Sequence, residues 1–219
     1  EVILPDLYWD NYDLVLSHNY GAKFALHNTF VDGRYDIAAL SEKLNSDGEK
    51  KILLLNFPNN PTGYTLTEKE ADRLRDELLA AAKKGKKIAV LLDDAYFGLV
   101  YGEEVTKESL FGRLVDLHEN ILAVKLDGAT KEDYVWGFRV GFITFGGKGL
   151  TPQALAALEA KASGVVRASV SNAPNPAQIN LLKAFQSPSY AAQKREKYEL
   201  MKRRYNKIVE IFKNHPEYA

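Results

Sequence analysis

Four short, unbroken apolar runs constrain this chain most. They are KILLLNF at 51–57, KIAVLLD at 87–93, NILAVKL at 120–126 and RVGFITF at 139–145. Strands covered on both faces read as near-continuous apolar runs, whereas a strand with one wet face alternates. Helical patterns separate the runs. Residues 36–44 put Ile37, Leu40 and Leu44 on one helical face. A second helix begins at Thr67, where Thr67 and Glu70 make a capping-box pattern and Leu74, Leu78 and Leu79 follow. It stops at the KKGKK stretch, where Gly85 can end a helix and the lysines suit its dipole. Residues 110–118 read as a further helix. Strand and helix in alternation predict an α/β fold: a three-layer, doubly wound, mostly parallel sheet.

The remaining segments are expected as follows. Residues 13–17 and 23–30 read as short strands. From Pro152 the chain turns helical, and residues 174–185 and 188–215 read as two helices, each opened by a proline. In the last, Tyr198, Met201, Tyr205, Ile208 and Phe212 form a stripe that reads as core packing.

Composition removes several classes of function. Lys plus Arg and Asp plus Glu both number 29, so the formal net charge is zero and the basic footprint of a nucleic-acid binder is absent. With no cysteine, disulfides and Cys-based metal sites are excluded; no metal site is expected. No apolar run approaches a membrane span. The opening EVILPDLYWDNYD has no secretory pattern and no initiator Met, so a cytoplasmic piece of a longer protein is expected.

Doubly wound sheets bind ligands at the carboxyl ends of their strands. The first apolar run is followed by Pro58-Asn59-Asn60-Pro61-Thr62-Gly63, a rigid loop that is also an ordinary strand-to-helix turn. Asp93 ends the second run and Tyr96 follows in D-D-A-Y. A carboxylate there is either a cap or an acid that holds a protonated heterocycle nitrogen. The third run leads to Asp127-Gly128-Ala129-Thr130-Lys131. A lysine just beyond a buried strand is either solvated or a desolvated amine nucleophile. Eight residues later Arg139 opens the fourth run, where a guanidinium suits an anion such as phosphate.

The order of these elements, NPTG loop, D-x-A-Y, then Lys with Arg eight residues on, resembles the class I/II aminotransferases of pyridoxal-phosphate (PLP) fold type I. The resemblance implies roles residue by residue. Lys131 matches the lysine that bonds covalently to PLP and shuttles the proton. Asp93 matches the aspartate paired with the pyridine nitrogen, which keeps the ring an electron sink. Asn60 and Tyr96 match the residues that hydrogen-bond the cofactor's phenolic oxygen, and Arg139 the arginine on its phosphate. Trp9 falls where an aromatic ring stacks on the cofactor, although hydrophobic packing also explains it. Tyr12 stands where some members have His, behind the aspartate. Thr130 is a candidate phosphate hydroxyl. Many members carry Ser where this chain has Gly128, which puts the phosphate contacts in doubt, as does the nearby Asp127 carboxylate. Arg167, in a segment that crosses the dimer interface in aspartate-type members, would bind a distal substrate carboxylate in the neighbouring subunit. Otherwise it is a helix-end arginine.

The implied protein is a PLP-dependent aminotransferase that exchanges an amino group between an amino acid, of aspartate or glutamate type, and a 2-oxo acid. The resemblance further implies a homodimer. The expected division is a PLP-binding large domain at 1–186, lacking its N-terminal part, and a long helix at 187–219 leading to an absent small domain. The isolated piece is expected to be inactive. Three alternatives stand: another PLP reaction such as elimination or decarboxylation, a ligand-sensing domain of a regulator, and a folded piece that holds no cofactor.

Overall fold

A computed structural model describes residues 1–218. The expected 187–219 segment is therefore described except for residue 219. In chain order the strands are β1 (Val2–Pro5), β2 (Phe24–His27), β3 (Phe30–Val31), β4 (Arg34–Tyr35), β5 (Lys50–Asn56), β6 (Lys87–Asp93), β7 (Ile121–Gly128) and β8 (Gly141–Gly146). The helices are α1 (Ile37–Asn45), α2 (Glu68–Lys83), α3 (Phe111–Leu114), α4 (Ala129–Glu132), α5 (Pro152–Ser169), α6 (Asn175–Phe185) and α7 (Tyr190–Asn214). The main sheet runs β2-β1-β5-β6-β7-β8, and β3 and β4 make a separate ribbon. All pairings in the main sheet are parallel except β7 with β8. This is the mostly parallel α/β sheet expected.

The apolar runs became strands because helices cover them. Leu53 and Leu55 of β5, Ile88, Val90 and Leu92 of β6, and Ile121 and Ala123 of β7 join α1 and α2 side chains in one buried cluster. Burial of side chains such as Leu40, Leu74 and Leu78, each at most 1% exposed, stabilises this layer by roughly 1.5–3 kcal/mol apiece. The capping box at α2 forms as read: Glu70 N donates to Thr67 Oγ1 and Thr67 N to Glu70 Oε2. Gly85, at φ +92°, follows the helix in the left-handed conformation that glycine adopts most readily.

Three expectations are corrected. Residues 13–17 are not a strand; Asp13–His18 is a wide helical turn within a helical stretch at 11–20. Both edges of β1 are already occupied, by β2 and β5, so no edge there awaits this segment. Tyr12 and Leu16, one helical turn apart, instead pack with Val2, Leu4 and Leu54 on the second face of the sheet. Arg139 does not open the fourth strand. It stands two residues ahead of β8 in the left-handed region, at φ +54°. The stripe on α7 is not a core seam: Tyr205, Ile208 and Phe212 are 40–51% exposed. Its N-terminal half does make contacts. Tyr198 donates to the Val100 carbonyl at 2.8 Å, and the Tyr101 ring meets both Tyr198 and Tyr205. Among the described residues no helix is long and apolar enough to cross a membrane.

Candidate active site

β5, β6 and β7 run parallel and in register, so their carboxyl ends finish side by side. Asn56 is level with Asp93, and Asp93 with Leu126. The chain leaves β1 for β2 on one side and returns to β5 on the other, which makes a switch point where a crevice opens. A cavity of about 820 Å³ lies at this end of the sheet. Trp9, Asn60, Asp93, Tyr96, Thr130, Lys131 and Arg139, scattered over 131 positions of sequence (9 to 139), all line it. Arg167 does not. It is exposed on α5 and donates to Ser171 Oγ at 2.6 Å.

Asp93 is the most firmly held acid of the cavity. Its Oδ2 accepts from the Tyr12 hydroxyl at 2.5 Å and its Oδ1 from Ala95 N at 3.1 Å. Tyr12 is 6% exposed, and burial, with the Asp93 charge second, raises its phenol far above the usual range. Tyr12 is thus a fixed neutral donor. The loop after β5 is pinned through Asn56, whose Nδ2 donates to Asp93 O while its Oδ1 accepts from Asn60 N. Asn59 braces the same loop by accepting from Thr62 N and Oγ1. The Phe57–Pro58 and Asn60–Pro61 peptides are cis.

Lys131 sits on the single turn α4, and its Nζ stands 5.5 Å from the centroid of the Tyr96 ring. Asp127, beside it on the wall, is paired with Lys125. The Asp127 carboxylate at the expected phosphate end is therefore not bare. Gly128 also has a reason. A Cβ there would lie 2.7 Å from the Val140 carbonyl oxygen and 3.1 Å from Gly141 Cα, so a serine does not fit this backbone. Arg139 donates weakly to the Trp136 carbonyl at 3.4 Å. Among the described residues no carboxylate pairs with its guanidinium. Trp9 is 39% exposed and meets Tyr12 edge to face at 5.5 Å.

Sequence reasoning overlooked Asn56 and Trp136 as lining residues. Asn56 had a signal, since it ends β5 as Asp93 ends β6. Trp136, in a turn outside any strand, had none.

Comparison with known proteins identifies the family and the fold. The family described as aminotransferase class I and II matches residues 1–215. The chain belongs to that family. An aspartate aminotransferase of Bacillus subtilis is 27% identical over 215 residues, which are 96% of this chain and 50% of that protein. The crystal structure of an aminotransferase from Anaerococcus prevotii superposes with a TM-score of 0.84 at 24% identity, covering 97% of this chain and 52% of that one. An aromatic-amino-acid aminotransferase from Burkholderia pseudomallei, solved covalently bound to pyridoxal phosphate, superposes at 0.72 with 18% identity, covering 93% and 49%. The chain spans about half the length of these relatives.

Proposed function

We propose that the protein of which this chain forms the sheet domain is a PLP-dependent aminotransferase, and that the cavity at the carboxyl ends of β5, β6 and β7 holds the cofactor. One observation carries this reading: an amine, a hydrogen-bonded carboxylate and a guanidinium without a carboxylate partner converge on one cavity. The residues fit the group. Lys131 would bond to it, Asp93 would hold its ring nitrogen, Asn60 and Tyr96 its phenolic oxygen, and Arg139 and Thr130 its phosphate, with Trp9 against its face. When bound, PLP supplies the electron sink for carbanion chemistry at an amino acid's α-carbon.

The chain's own residues do the rest. Tyr12 and Ala95 N fix the Asp93 carboxylate, so it meets a ring nitrogen without first reorganising. Lys131, on a turn tied to its neighbours, moves a proton at Nζ. Asn56 holds the loop that presents Asn60. The relative from B. subtilis named aspartate aminotransferase supports an amino acid and a 2-oxo acid as substrates. A homodimer in which Arg167, exposed and outside its own cavity, reaches the second copy's site is part of this proposal; the bond to Ser171 fits a helix-end arginine equally. Mixing Lys131→Ala with Arg167→Ala in the full-length protein tests this, because only shared sites regain activity on mixing.

The primary test is incubation with PLP, borohydride reduction and peptide mapping, with Lys131→Ala alongside. A visible band that borohydride bleaches, with label on Lys131 alone, is expected. Label spread over surface lysines in the full-length protein would sink the assignment.

A further inference from the structure

Two acidic residues directly follow Lys131, and both are captured by α7. Lys194 Nζ lies 2.6 Å from Glu132 Oε1 and 3.3 Å from Asp133 Oδ1. Tyr190, one turn earlier on α7, donates to Asp133 Oδ1 at 2.5 Å and accepts from Lys194 at 3.2 Å. Asp133 keeps only 8% of its side chain exposed. The Glu132 side chain also lies against Gly98, within 3.5 Å of where a Cβ would stand there, two residues past Tyr96. Burial alone would lower the Lys194 ammonium, yet hydrogen bonds to Glu132 and Tyr190 and the two carboxylates raise it. α7 buries no residue fully, so these polar ties and the Tyr198–Val100 bond form much of its attachment to the sheet domain. They fall on the two loops that present Lys131 and Tyr96.

We infer that Lys194 and Tyr190 are positioning residues for Lys131: they hold Glu132 and Asp133 against α7, which sets the turn that aims the lysine and keeps two carboxylates away from its amine. The inference rests on the reading that Lys131 is the amine that bonds to PLP. A carboxylate released beside an amine favours the ammonium form, which is not a nucleophile. The other charged groups and the phenol lining the cavity are Asp93, Tyr96, Asp127 and Arg139.

The experiment uses the full-length protein and measures the rate at which PLP is trapped by borohydride on Lys131, next to the melting temperature. Lys194→Met is expected to slow trapping about tenfold, the effect of the roughly one-unit rise that nearby uncompensated carboxylates cause in an amine. Lys194→Arg, which keeps the charge and the donors, is expected to restore most of the rate. If Lys194→Met melts more than a few degrees lower, Tyr190→Phe carries the test, with a smaller slowing in the same direction. Trapping of these variants at the wild-type rate would overturn the inference while leaving Lys131 as the reacting amine. Wild-type label anywhere other than Lys131 would overturn the reading beneath it as well.

Discussion

The Tyr12 hydroxyl donates a 2.5 Å hydrogen bond to Asp93 Oδ2 across 81 positions of sequence. One partner comes from the helical stretch behind β1 and the other from the end of β6. The bond ties the second-face layer to the floor of the cavity. An imidazole in that place gains or loses a proton near neutral pH; a phenol this deeply buried does not. Tyr12 therefore remains a neutral donor to the carboxylate over the whole physiological range.

Tyr12→Phe should therefore cost stability as well as alignment. The ring still fits, but Asp93 Oδ2 loses its donor, and loss of a bond to a charged group removes about 1.5–3 kcal/mol. The sign in alkali follows from the raised phenol. Its contribution is full below the unfolded value of 10 and is lost as pH climbs above 10. Urea denaturation at pH 7 and pH 11 checks both points. Equal stability of variant and wild type at pH 7 would show that the bond contributes nothing.

Gly128→Ala should destabilise the strand end that leads to Lys131. The added methyl would meet the Val140 carbonyl at 2.7 Å, and β7 and β8 would have to part. Overpacking of this kind costs about 1–3 kcal/mol. Gly164→Ala is the control. No atom stands within 4 Å of a Cβ there, and replacing a mid-helix glycine adds about 0.5–1 kcal/mol. The two changes should move the denaturation midpoint in opposite directions.

Thr67→Ala tests the capping box that was readable in the sequence. The hydroxyl accepts from Glu70 N at 3.2 Å and donates to Glu70 Oε2 at 2.8 Å. Its removal should lower stability by about 1 kcal/mol without changing the denaturant slope, since α2 loses a cap and no buried surface.

What was legible depended on whether local pattern and tertiary context agreed. KIAVLLD became β6 with the bounds read from it, because an apolar run bounded by charged residues has one good use in a sheet covered by helices. The loops after β5, β6 and β7 were findable because parallel strands deliver their carboxyl ends to one place. The failures are residues whose state is set by distant partners. The apolar residues at 13–17 look like a strand until β1 is seen to have both edges filled. Arg139 turns left-handed because the chain must reverse before β8 pairs antiparallel with β7, and nothing in RVGFITF announces that direction. Gly128 looked like a departure from pattern, and only the Val140 carbonyl explains it. Lys194 looked like one more charge on a polar helix.

Asp94, next to the cavity acid but pointing into the opposite layer, gives the clearest pH dependence. It is 6% exposed, and burial raises its carboxyl from 3.8 to about 6, opposed by the hydrogen bond from Ser109 and by the Lys125 charge. A carboxyl raised on folding binds its proton more tightly in the native state. Stability should thus fall as pH rises from about 4 to about 6, and the full penalty should persist above that. Asp94→Asn removes the ionisation and keeps an acceptor for Ser109, whose hydroxyl donates to Asp94 Oδ2 at 2.6 Å. The variant should match or trail the wild type at pH 4 and gain on it by roughly 2–3 kcal/mol by pH 7. Denaturation midpoints for both proteins across that range decide it. Parallel curves would mean that Asp94 titrates alike in the folded and unfolded chain, with Ser109 and Lys125 fully offsetting its burial.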